Sequence, residues 1–400
     1  MKKILLLGGS AQQTVAIETA KRLGYYTVLC DYLPDNPGRY VADKFYLVST
    51  TDKEAILKVA QDEAVDGALA YASDPAAPTA AYVAEKLGLP GNPLQAVETL
   101  CNKDQFRKFL TNNGFNAPTA RGYSDFEIET APRDIAAFRL PVIVKPTDSS
   151  GSKGATVLRD WSGYREALEF AFSFSRGKRV VVEEFVKKRH KYLIGGDIFV
   201  QDGEVVQWGL LNCHRDASAN PLVPVGKSYP PELSASDLEA AKETLRRMVA
   251  KLGIRFGAMN VELVVDESGR VWPIDVGPRN GGNMIPDLLG MIFGADVVEA
   301  TVKAAMGEPF DFEANDGVPF YATHNLHSTR DGVFELVEFS PEIESKIVRL
   351  NVYIREGDPV EFFDNASKAL GVVFLKFETA EEMSRILGDV DRHIKICLKN

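Results

Sequence analysis

The chain has 400 residues, 45% of them hydrophobic and 26% charged, and its 56 acidic against 46 basic residues give a formal net charge of −10. This composition is typical of a soluble globular protein with two or three domains, and the acidic balance argues against a nucleic-acid partner, because a phosphate backbone is attracted by a basic surface. The four cysteines are Cys30, Cys101, Cys213 and Cys397. They lie far apart, which indicates reduced thiols and neither a disulfide framework nor a zinc site.

The first apolar run covers residues 4–7 and ends at Gly8. It is too short for a signal peptide and predicts a β-strand instead. No stretch approaches the ~18 to 20 continuous apolar residues that a membrane-spanning helix needs. We therefore expect a cytoplasmic protein with no membrane partner.

Residues 1–97 alternate between apolar strands and amphipathic helices. The strands are KKILLLGG, YTVLCDY and VDGALAY, and the helices cover residues 13–23 and 53–64. Such alternation predicts a doubly wound parallel sheet. The turn after the first strand, GGSAQQ, lacks the G-x-G-x-x-G pattern, so we interpret it as a structural turn that touches a small substrate and not as a dinucleotide site.

Two lysines begin the second unit. Lys103 lies at the start of a predicted helix that ends near Asn112, where a cation is poorly placed unless it faces an anion. Lys145 follows a buried strand, residues 142–144, and precedes a loop of small residues from Thr147 to Gly154. Backbone N–H groups in such a loop can cradle phosphate oxygens, although a Walker A motif occurs nowhere: VPVGKS has Pro221 where its first glycine should be.

The hairpin over residues 254–282 carries the strongest chemical pattern. With Ser268 and Gly269 as its loop, Glu262 lies opposite Asp275. Two facing carboxylates repel each other, so the pair is best explained by a bound cation, with Mg²⁺ as the first candidate. Arg279, four residues after Asp275, suits a phosphate that bridges guanidinium and metal.

The opposite face of that hairpin is apolar, and we expect it to be buried. It combines one set of side chains from each strand: Val261, Leu263 and Val265 with Val276, Ile274 and Trp272. An apolar helical stretch, residues 285–306, follows. A third piece begins near Asp316, with strands in VPFYATHNL, IVRLNVYI and VVFLKF and a closing helix from Ala380 to about Leu387.

The order and spacing of five features resemble those of the ATP-grasp superfamily of ATP-dependent carboxylate ligases. These features are Lys103, VIVKP with its Ser/Gly loop, VVVEEFV, NVEL and PIDVGPRNGG. The carboxylate-amine ligases are the closest type, and biotin carboxylase, the carbamoyl phosphate synthase large chain and the purine-biosynthesis members are similar. The resemblance implies an α/β and α+β architecture. Its parts would be a pre-ATP-grasp domain (1–97), an ATP-grasp core (98–315, with lobes of about 115–186 and 187–315) and a small C-terminal α+β domain (316–400).

The same resemblance implies roles for individual residues. The nucleotide would be held by Lys103 and Lys145, by the loop residues Ser149, Ser150, Gly151, Ser152, Lys153 and Gly154, and beside the adenine by Glu183 and the backbone of Glu184 and Val186. Glu262 and Asp275 would bind Mg²⁺ or Mn²⁺. Arg279, Lys145 and Asp275 would be catalytic, and we place Asn280, Asn283 and Arg215 as candidates for contacting the substrate.

Three positions depart from the superfamily's usual pattern. Asp275 stands where glutamate is common, and Gly277 where asparagine is usual. The segment VKKRHKYLIGGD is longer and more basic than the usual G-x-E, so the residue that would contact the ribose is not identified by the resemblance.

The sequence therefore predicts an enzyme that converts ATP, a small carboxylate such as an amino acid, and an amine into an amide through an acyl phosphate. Bicarbonate or formate in place of the organic acid, and a nucleotide-binding regulator without catalysis, are the alternatives. A homodimer is the default expectation for the assembly.

Overall fold

The computed structural model of the protein describes residues 1–127, 135, 137–312 and 315–399. Its N-terminal segment, residues 1–97, is a parallel sheet flanked by helices, as predicted. The strands are β1 (Lys3–Leu7), β2 (Tyr26–Asp31), β3 (Lys44–Leu47) and β4 (Gly67–Leu69), and the helices are α1 (Thr14–Arg22), α2 (Lys53–Glu63), α3 (Ala77–Leu87) and α4 (Leu94–Leu100). The strand order is β3-β2-β1-β4. Our sequence analysis missed β3, which is only four residues long, and also α3 and α4.

A small antiparallel sheet follows helix α5 (Lys103–Asn112). Its strands are β5 (Ala120–Ser124), β6 (Val142–Pro146), β7 (Thr156–Leu158) and β8 (Arg179–Glu184), in the order β5-β8-β6-β7, with helix α6 (Tyr164–Ser173) packed on one face. The predicted small lobe of about 115–186 includes residues 128–134 and 136, which lie outside the described residues.

A larger antiparallel sheet of eight strands forms the centre of the molecule. Its strands are β9 (Leu193–Gln201), β10 (Glu204–Arg215), β11 (Pro224–Tyr229), β12 (Gly257–Val265), β13 (Val271–Gly277), β14 (Tyr321–Leu326), β16 (Ile347–Val352) and β18 (Gly371–Lys376). Their order is β13-β12-β9-β10-β11-β14-β18-β16. Since β14, β16 and β18 belong to the C-terminal segment, residues 316–400, that segment is joined to the core by strand pairing.

Helices α7 (Ala235–Leu252), α8 (Ile285–Phe293) and α9 (Val297–Ala305) cover this sheet. The run 285–306, which we predicted as one helical stretch, is divided because Gly294 ends α8 in the left-handed conformation (φ 70°) and Asp296 caps α9 by accepting a bond from the Glu299 N–H at 2.8 Å.

A three-stranded sheet completes the C-terminal segment. It contains β15 (Gly332–Phe339), β17 (Pro359–Val360) and β19 (Ile394–Lys399), and the helices of this segment are α10 (Pro341–Glu344) and α11 (Ala380–Gly388). Within the described ranges, no helix is both long and apolar enough to cross a bilayer. The α/β and α+β fold class is confirmed.

The hairpin β12–β13 pairs Glu262 with Asp275, as predicted, but its loop length and strand pairing differ from those that we expected. The loop has three residues, Glu267 to Gly269, because Val265 pairs with Val271 and the Asp266 N–H donates to Arg270 O at 3.0 Å. Ile274 is then an extra residue on β13, opposite the step between Glu262 and Leu263. The longer loop and the bulge offset each other, and the carboxylate register is preserved.

The bulge changes which side chains of β13 are buried. Our prediction that Ile274 and Trp272 share the buried face is wrong: both are only half-buried, while Val271 and Val276 belong to the core. Ile274 instead lines the larger of the two cavities described below.

Candidate active site

Glu262 and Asp275 are the centre from which the site is built. They are directly paired residues on adjacent antiparallel strands, so their side chains project from the same face of the sheet. Each faces one basic group: the Asp275 carboxylate lies 3.6 Å from Lys103 Nζ, and the Glu262 carboxylate lies 3.4 Å from an Arg215 terminal nitrogen. Two cavities meet at this pair, since both carboxylates line each of them.

Asp275 is held in its charged form. Burial disfavours the carboxylate, but four cations outweigh that effect and lower its pKa below the ordinary value. The cations are Lys103, Lys145, Arg107 and Arg279. The site therefore keeps an anionic oxygen ligand available near neutral pH.

The larger cavity, which we call the nucleotide cavity, has a volume of about 580 Å³. Its apolar wall includes Ile143, Phe185, Leu193, Val264 and Ile274. Its cations are Lys103, Lys145, Lys153, Lys188, Lys191 and Arg215. An apolar slot that opens onto several cations has the character of a site for a flat aromatic base with attached phosphates.

The loop of small residues lies between the two cavities. Ser149 lines the nucleotide cavity, and the segment 150–153 lines both cavities. The Ser152 hydroxyl donates to Leu222 O at 2.9 Å, and the Lys103 ammonium donates to Ser149 O at 2.7 Å. Gly151 and Ser152 adopt left-handed conformations, with φ of 65° and 62°.

Gly154 has a packing role within that loop. A β-carbon at this position would lie 2.9 Å from side-chain atoms of both Phe174 and Pro146. The residue is buried there, behind the segment that faces the cavities.

Glu183 occupies a different place from the one implied by the resemblance. It is 3% exposed and accepts bonds from Arg107 Nε at 2.8 Å and from the Lys145 ammonium. Burial acts against its charge, but Arg107 and Lys145 lower its pKa to about 2. Glu183 therefore anchors Lys145 from behind instead of lining the nucleotide cavity.

The residues that follow Glu183, namely Glu184 and Val186, face different parts of the molecule. The Glu184 carboxylate pairs with Arg139 at 2.9 Å, on the outer side of the small sheet. Val186 lines the nucleotide cavity, as the resemblance implies. Because successive residues of a strand point to opposite faces, the side chains of Glu183 and Glu184 lie on opposite sides of the small sheet, and the role implied for Glu184 concerns its backbone.

The second cavity, which we call the polar cavity, has a volume of about 240 Å³. All three parts of the chain contribute to it: Gln12 and Asp74 from the N-terminal segment, Lys227, Asn260, Arg279 and Asn283 from the core, and Thr323, Asn325 and Ser367 from the C-terminal segment. Amides, hydroxyls and charged groups therefore surround this space, and a small polar ligand would find many partners there.

Lys227 is the least expected residue of the polar cavity. It is 7% exposed, and its ammonium donates to Cys213 Sγ at 2.7 Å. Gly195 leaves room for this contact, since a β-carbon there would lie 3.1 Å from the Lys227 nitrogen. In the part of the chain that the structure describes, Lys227 has no carboxylate partner. A buried cation in that situation favours an anionic ligand.

The turn after β13 places Arg279 in the polar cavity. Its Nε donates to Asp74 Oδ1 at 2.7 Å, and one of its terminal nitrogens contacts Asp74 Oδ2. The buried Asp197 carboxylate holds the same turn by accepting bonds from the Gly281 N–H at 2.9 and 2.8 Å. Burial raises the pKa of Asp197 to about 6.

The three residues that we expected to contact the substrate are separated. Asn283 lines the polar cavity, and Arg215 lines the nucleotide cavity beside Glu262. Asn280 is 1% exposed, and its amide donates to Thr301 Oγ1 at 3.0 Å beside a separate cavity of about 90 Å³. Of these three residues, only Asn283 lines the polar cavity.

Sequence reasoning missed Asp74 and Lys227, whereas Gln12 lies in GGSAQQ, the turn that we expected to touch a small substrate. Lys227 is the lysine of VPVGKS, which we examined only as a phosphate-binding loop and rejected. A lysine inside an otherwise buried strand was the available sign of its role. Gln12 and Asp74 follow the first and fourth strands of the parallel sheet, at the edge where such sheets bind ligands.

The oxygen ligands present fit Mg²⁺. Among the described residues, no cluster of three or more His, Cys, Asp or Glu side chains could hold a metal by itself. Mg²⁺ is commonly bound through one or two carboxylates together with substrate phosphates, and Glu262 and Asp275 supply that number where the two cavities meet.

The chain was compared with families of known proteins and with individual relatives. Residues 138–287 match the ATP-grasp domain family. An uncharacterised protein of Sinorhizobium fredii is 26% identical over 290 residues, which cover 70% of this chain and 58% of that protein. A formate-dependent phosphoribosylglycinamide formyltransferase of Sulfurisphaera tokodaii is 26% identical over 393 residues, which cover 95% and 94% of the two chains.

Among solved structures, the L-amino acid ligase of Bacillus licheniformis is similar along the whole chain. The TM-score is 0.81 at 20% identity, with 100% of this chain and 99% of the ligase covered. Residues 138–287 therefore carry an ATP-grasp domain, and the chain as a whole is similar to enzymes of the ATP-grasp type, which are ATP-dependent, C–N bond-forming ligases that use ATP and Mg²⁺.

Proposed function

We propose that the protein is an ATP-dependent carboxylate-amine ligase that forms an amide through an acyl phosphate, and that its carboxylate substrate is a small organic acid bound in the polar cavity. The observation that carries this proposal is the junction of two unlike cavities at Glu262 and Asp275. A nucleotide on one side and an acid on the other would bring the γ-phosphate and the carboxylate together at that junction.

The nucleotide half of the proposal rests on the apolar slot and its lysines. Lys145 is aligned by Glu183 behind it, and Lys103 is fixed by its bond to Ser149 O, so both ammonium groups face the cavity in defined positions. Fixed cations stabilise phosphate charge at little cost of reorganisation when the ligand binds. We assign both lysines to the phosphates.

The acid half rests on Lys227 and Arg279. Both are cations that line the polar cavity, and Lys227 lacks a carboxylate partner among the described residues. We assign Lys227 to a carboxylate of the substrate, and Arg279 to the phosphoryl group during transfer. Asn283, Thr323 and Asn325 would then provide hydrogen bonds to the rest of the acid.

The chemistry divides into two displacements. A carboxylate oxygen of the acid attacks the γ-phosphorus, and the bond to the ADP oxygen breaks. The amine nitrogen then attacks the acyl carbon, inorganic phosphate leaves, and the nitrogen loses a proton. No side-chain nucleophile is needed, so the protein positions the reactants, excludes water and neutralises charge.

Bound Mg²⁺ on Glu262 and Asp275 would neutralise charge on the β- and γ-phosphate oxygens. Arg279 would stabilise the charge that builds up on the transferred phosphoryl group. The segment 150–153 lies between the two cavities and can shield the acyl phosphate from solvent.

Formate or bicarbonate as the activated carboxylate is the second candidate. It is favoured by the relative from Sulfurisphaera tokodaii, whose name specifies formate and which aligns over 95% of this chain. Either ion is small enough for the polar cavity, and the amine would then occupy more of the remaining volume.

ADP release separates the candidates. The purified protein is assayed with ATP and Mg²⁺ against single amino acids, pairs of amino acids and other small acids with an amine, with formate and bicarbonate as separate arms. We expect ADP release that requires both an organic acid and an amine, with the amide product confirmed by mass spectrometry. If ADP release requires only formate or bicarbonate with the amine, that ion and not an organic acid is the activated carboxylate. If no arm releases ADP, the result contradicts the ligase.

A further inference from the structure

The turn that carries Arg279 is held at both ends by side chains of the N-terminal segment. At its start, Asp74 contacts Arg279, and at its end Gln12 Oε1 accepts a bond from the Asn283 N–H at 2.7 Å. Asp74 and Gln12 are separated by 62 positions in sequence but both belong to the edge of the parallel sheet. Two independent contacts therefore connect one domain to the catalytic turn of another.

Glycines stand at the two places where these side chains approach. A β-carbon on Gly277 would lie 2.5 Å from Asp74 Oδ1, which is closer than real side chains permit. A β-carbon on Gly282 would lie 3.2 Å from Gln12 Oε1. At position 277 the space that a side chain would need is thus taken by the carboxylate of Asp74.

The contact between Asp74 and Arg279 has two points. Arg279 Nε donates to one carboxylate oxygen at 2.7 Å, and a terminal nitrogen contacts the other, so the guanidinium is fixed in its plane. The second terminal nitrogen donates to Asn280 O at 2.9 Å. The pair is well shielded, with side-chain exposures of 13% for Arg279 and 19% for Asp74.

The far end of the turn needs support as well. Asn283 and Met284 have positive φ values, 55° and 57°, which side-chain-bearing residues adopt rarely. The bond from Asn283 N to Gln12 stabilises this conformation just before helix α8 begins. The turn is consequently defined by contacts from the N-terminal segment as much as by its own sequence.

Other contacts between these two parts of the chain are far from the cavities. Lys2 pairs with Glu308 at 2.8 Å, and Arg22 pairs with Asp296 at 2.9 Å, both on exposed side chains. They hold the parts together without touching Arg279. Asp74 differs because its partner is the guanidinium that faces the polar cavity.

We infer that Asp74 is a positioning residue of the ligase reaction: it orients the Arg279 guanidinium toward the phosphoryl group, so the N-terminal segment sets the geometry of phosphoryl transfer. This inference rests on the proposed function. It assigns to Asp74 an effect on the rate of turnover and on the preference for ATP over ADP, and not on the binding of ADP, because Arg279 lies away from the apolar slot of the nucleotide cavity.

Asp74→Asn and Asp74→Ala test the inference in the full-length protein. We expect Asp74→Ala to lower kcat by about 30-fold, with the affinity for ADP within about twofold of the wild type and no large change in melting temperature. Asp74→Asn should lose less, because its amide oxygen can still accept from Arg279 Nε. Lys2→Met removes an ion pair between the same two parts of the chain and should leave kcat unchanged.

Two double variants show whether Asp74 acts through Arg279. In an Arg279→Ala background, adding Asp74→Ala should cause little further loss of kcat. Gly277→Ala alone should resemble Asp74→Ala, because its methyl group displaces the carboxylate, and the two changes together should lose no more than either one. Full additivity in both pairs, or a kcat for Asp74→Ala within twofold of the wild type, would overturn the inference.

A binding measurement keeps the inference separate from the proposed function. Calorimetry gives the affinities of a non-hydrolysable ATP analogue and of ADP, each with Mg²⁺. We expect Asp74→Ala to reduce the preference for the triphosphate to the level of Arg279→Ala. That result with no turnover in the wild type would support the positioning and refute the ligase, whereas turnover with an unchanged preference in Asp74→Ala would refute the positioning alone.

Discussion

The two cavities that meet at Glu262 and Asp275 are built in different ways. The nucleotide cavity is formed mostly by continuous pieces of the core, namely strand β6, the loop after it, the segment that follows β8, the end of β10 and the hairpin β12–β13. The polar cavity shares residues 150–153 of that loop and otherwise takes a few residues from each of many places, including Gln12, Asp74 and Ser367. In the proposed function, the chemistry common to such ligases would thus be carried by contiguous segments, and the choice of substrate by dispersed side chains.

The two cavities also differ in how the charges of their buried lysines are balanced. In the nucleotide cavity, Lys145 is buried against Glu183, so its charge is already balanced by the protein. In the polar cavity, the Lys227 ammonium donates to the Cys213 thiol and forms no salt bridge with any described residue. Balanced cations suit a ligand that leaves after every cycle as ADP, while an unbalanced one favours an anion that completes the pair. Variants can test this contrast one cavity at a time.

Asp275→Asn should have the largest effect because Asp275 lines both cavities. Loss of the charged ligand for Mg²⁺ should lower ADP formation by about 10³-fold, the scale on which transition-state charge is stabilised at such sites. The exposed Asp62→Asn serves as the control and should keep normal turnover. Near-normal ADP formation by a folded Asp275→Asn protein would remove the metal assignment.

The sequence predicted the shared part of the site because those residues lie in short motifs. Glu262 opposite Asp275 follows from strand alternation, and Lys145 with its loop from a strand that ends in small residues. Asp74 could not be found in this way, since its role depends on how one domain meets another. Only the resemblance places Glu183 beside the adenine, and in the structure its carboxylate pairs with Arg107 and Lys145 and does not line the nucleotide cavity.

For the fold, too, the features that depend on neighbouring residues could be predicted, and those that depend on contacts between distant segments could not. The parallel sheet and most helices follow from hydrophobic periodicity, which acts over a few residues. The joining of β14, β16 and β18 to the central sheet depends on pairing between segments about a hundred residues apart. The bulge at Ile274 was equally hidden, because it offsets a loop one residue longer than expected.

Lys227→Met should affect the polar cavity alone. Loss of a charge-assisted bond of about 1.5 to 3 kcal/mol should raise KM for the acid by roughly 10- to 100-fold, while KM for ATP stays within about twofold. Methionine keeps the length of the side chain. The substitution also removes a buried cation, so the melting temperature should not fall. Lys346→Met, which breaks a pair with Glu382 in the C-terminal segment, is the control. Equal changes in both KM values would contradict the division between the cavities.

Glu183→Gln should affect the nucleotide cavity alone. It leaves Arg107 and Lys145 without their shared carboxylate, so we expect roughly tenfold weaker ATP binding and a loss of stability of about 3 kcal/mol near neutral pH. Calorimetry and urea denaturation measure the two effects. An unchanged KM for the acid would support the assignment of Glu183 to the nucleotide cavity alone.

The pH dependence of the same variant has a defined sign. The pKa of Glu183 is lowered from 4.5 to about 2 in the folded state, so its contribution is fully present above about pH 4.5 and is lost as the pH falls from about 4.5 toward about 2. The stability difference between the wild type and Glu183→Gln should therefore shrink as the pH is lowered below about 4.5. A difference that stays constant down to about pH 3 would show that Glu183 does not act through its charge.

Ser152→Ala should have the smallest effect and should touch both cavities equally, because Ser152 lines each of them. Loss of the bond from its hydroxyl to Leu222 O, about 1 kcal/mol, should loosen the loop and raise both KM values by roughly three- to fivefold. Ser162→Ala, an exposed hydroxyl in the same lobe, should change neither value. A change in only one KM would assign the loop to one cavity, and it would then no longer be the element through which nucleotide and acid are enclosed together.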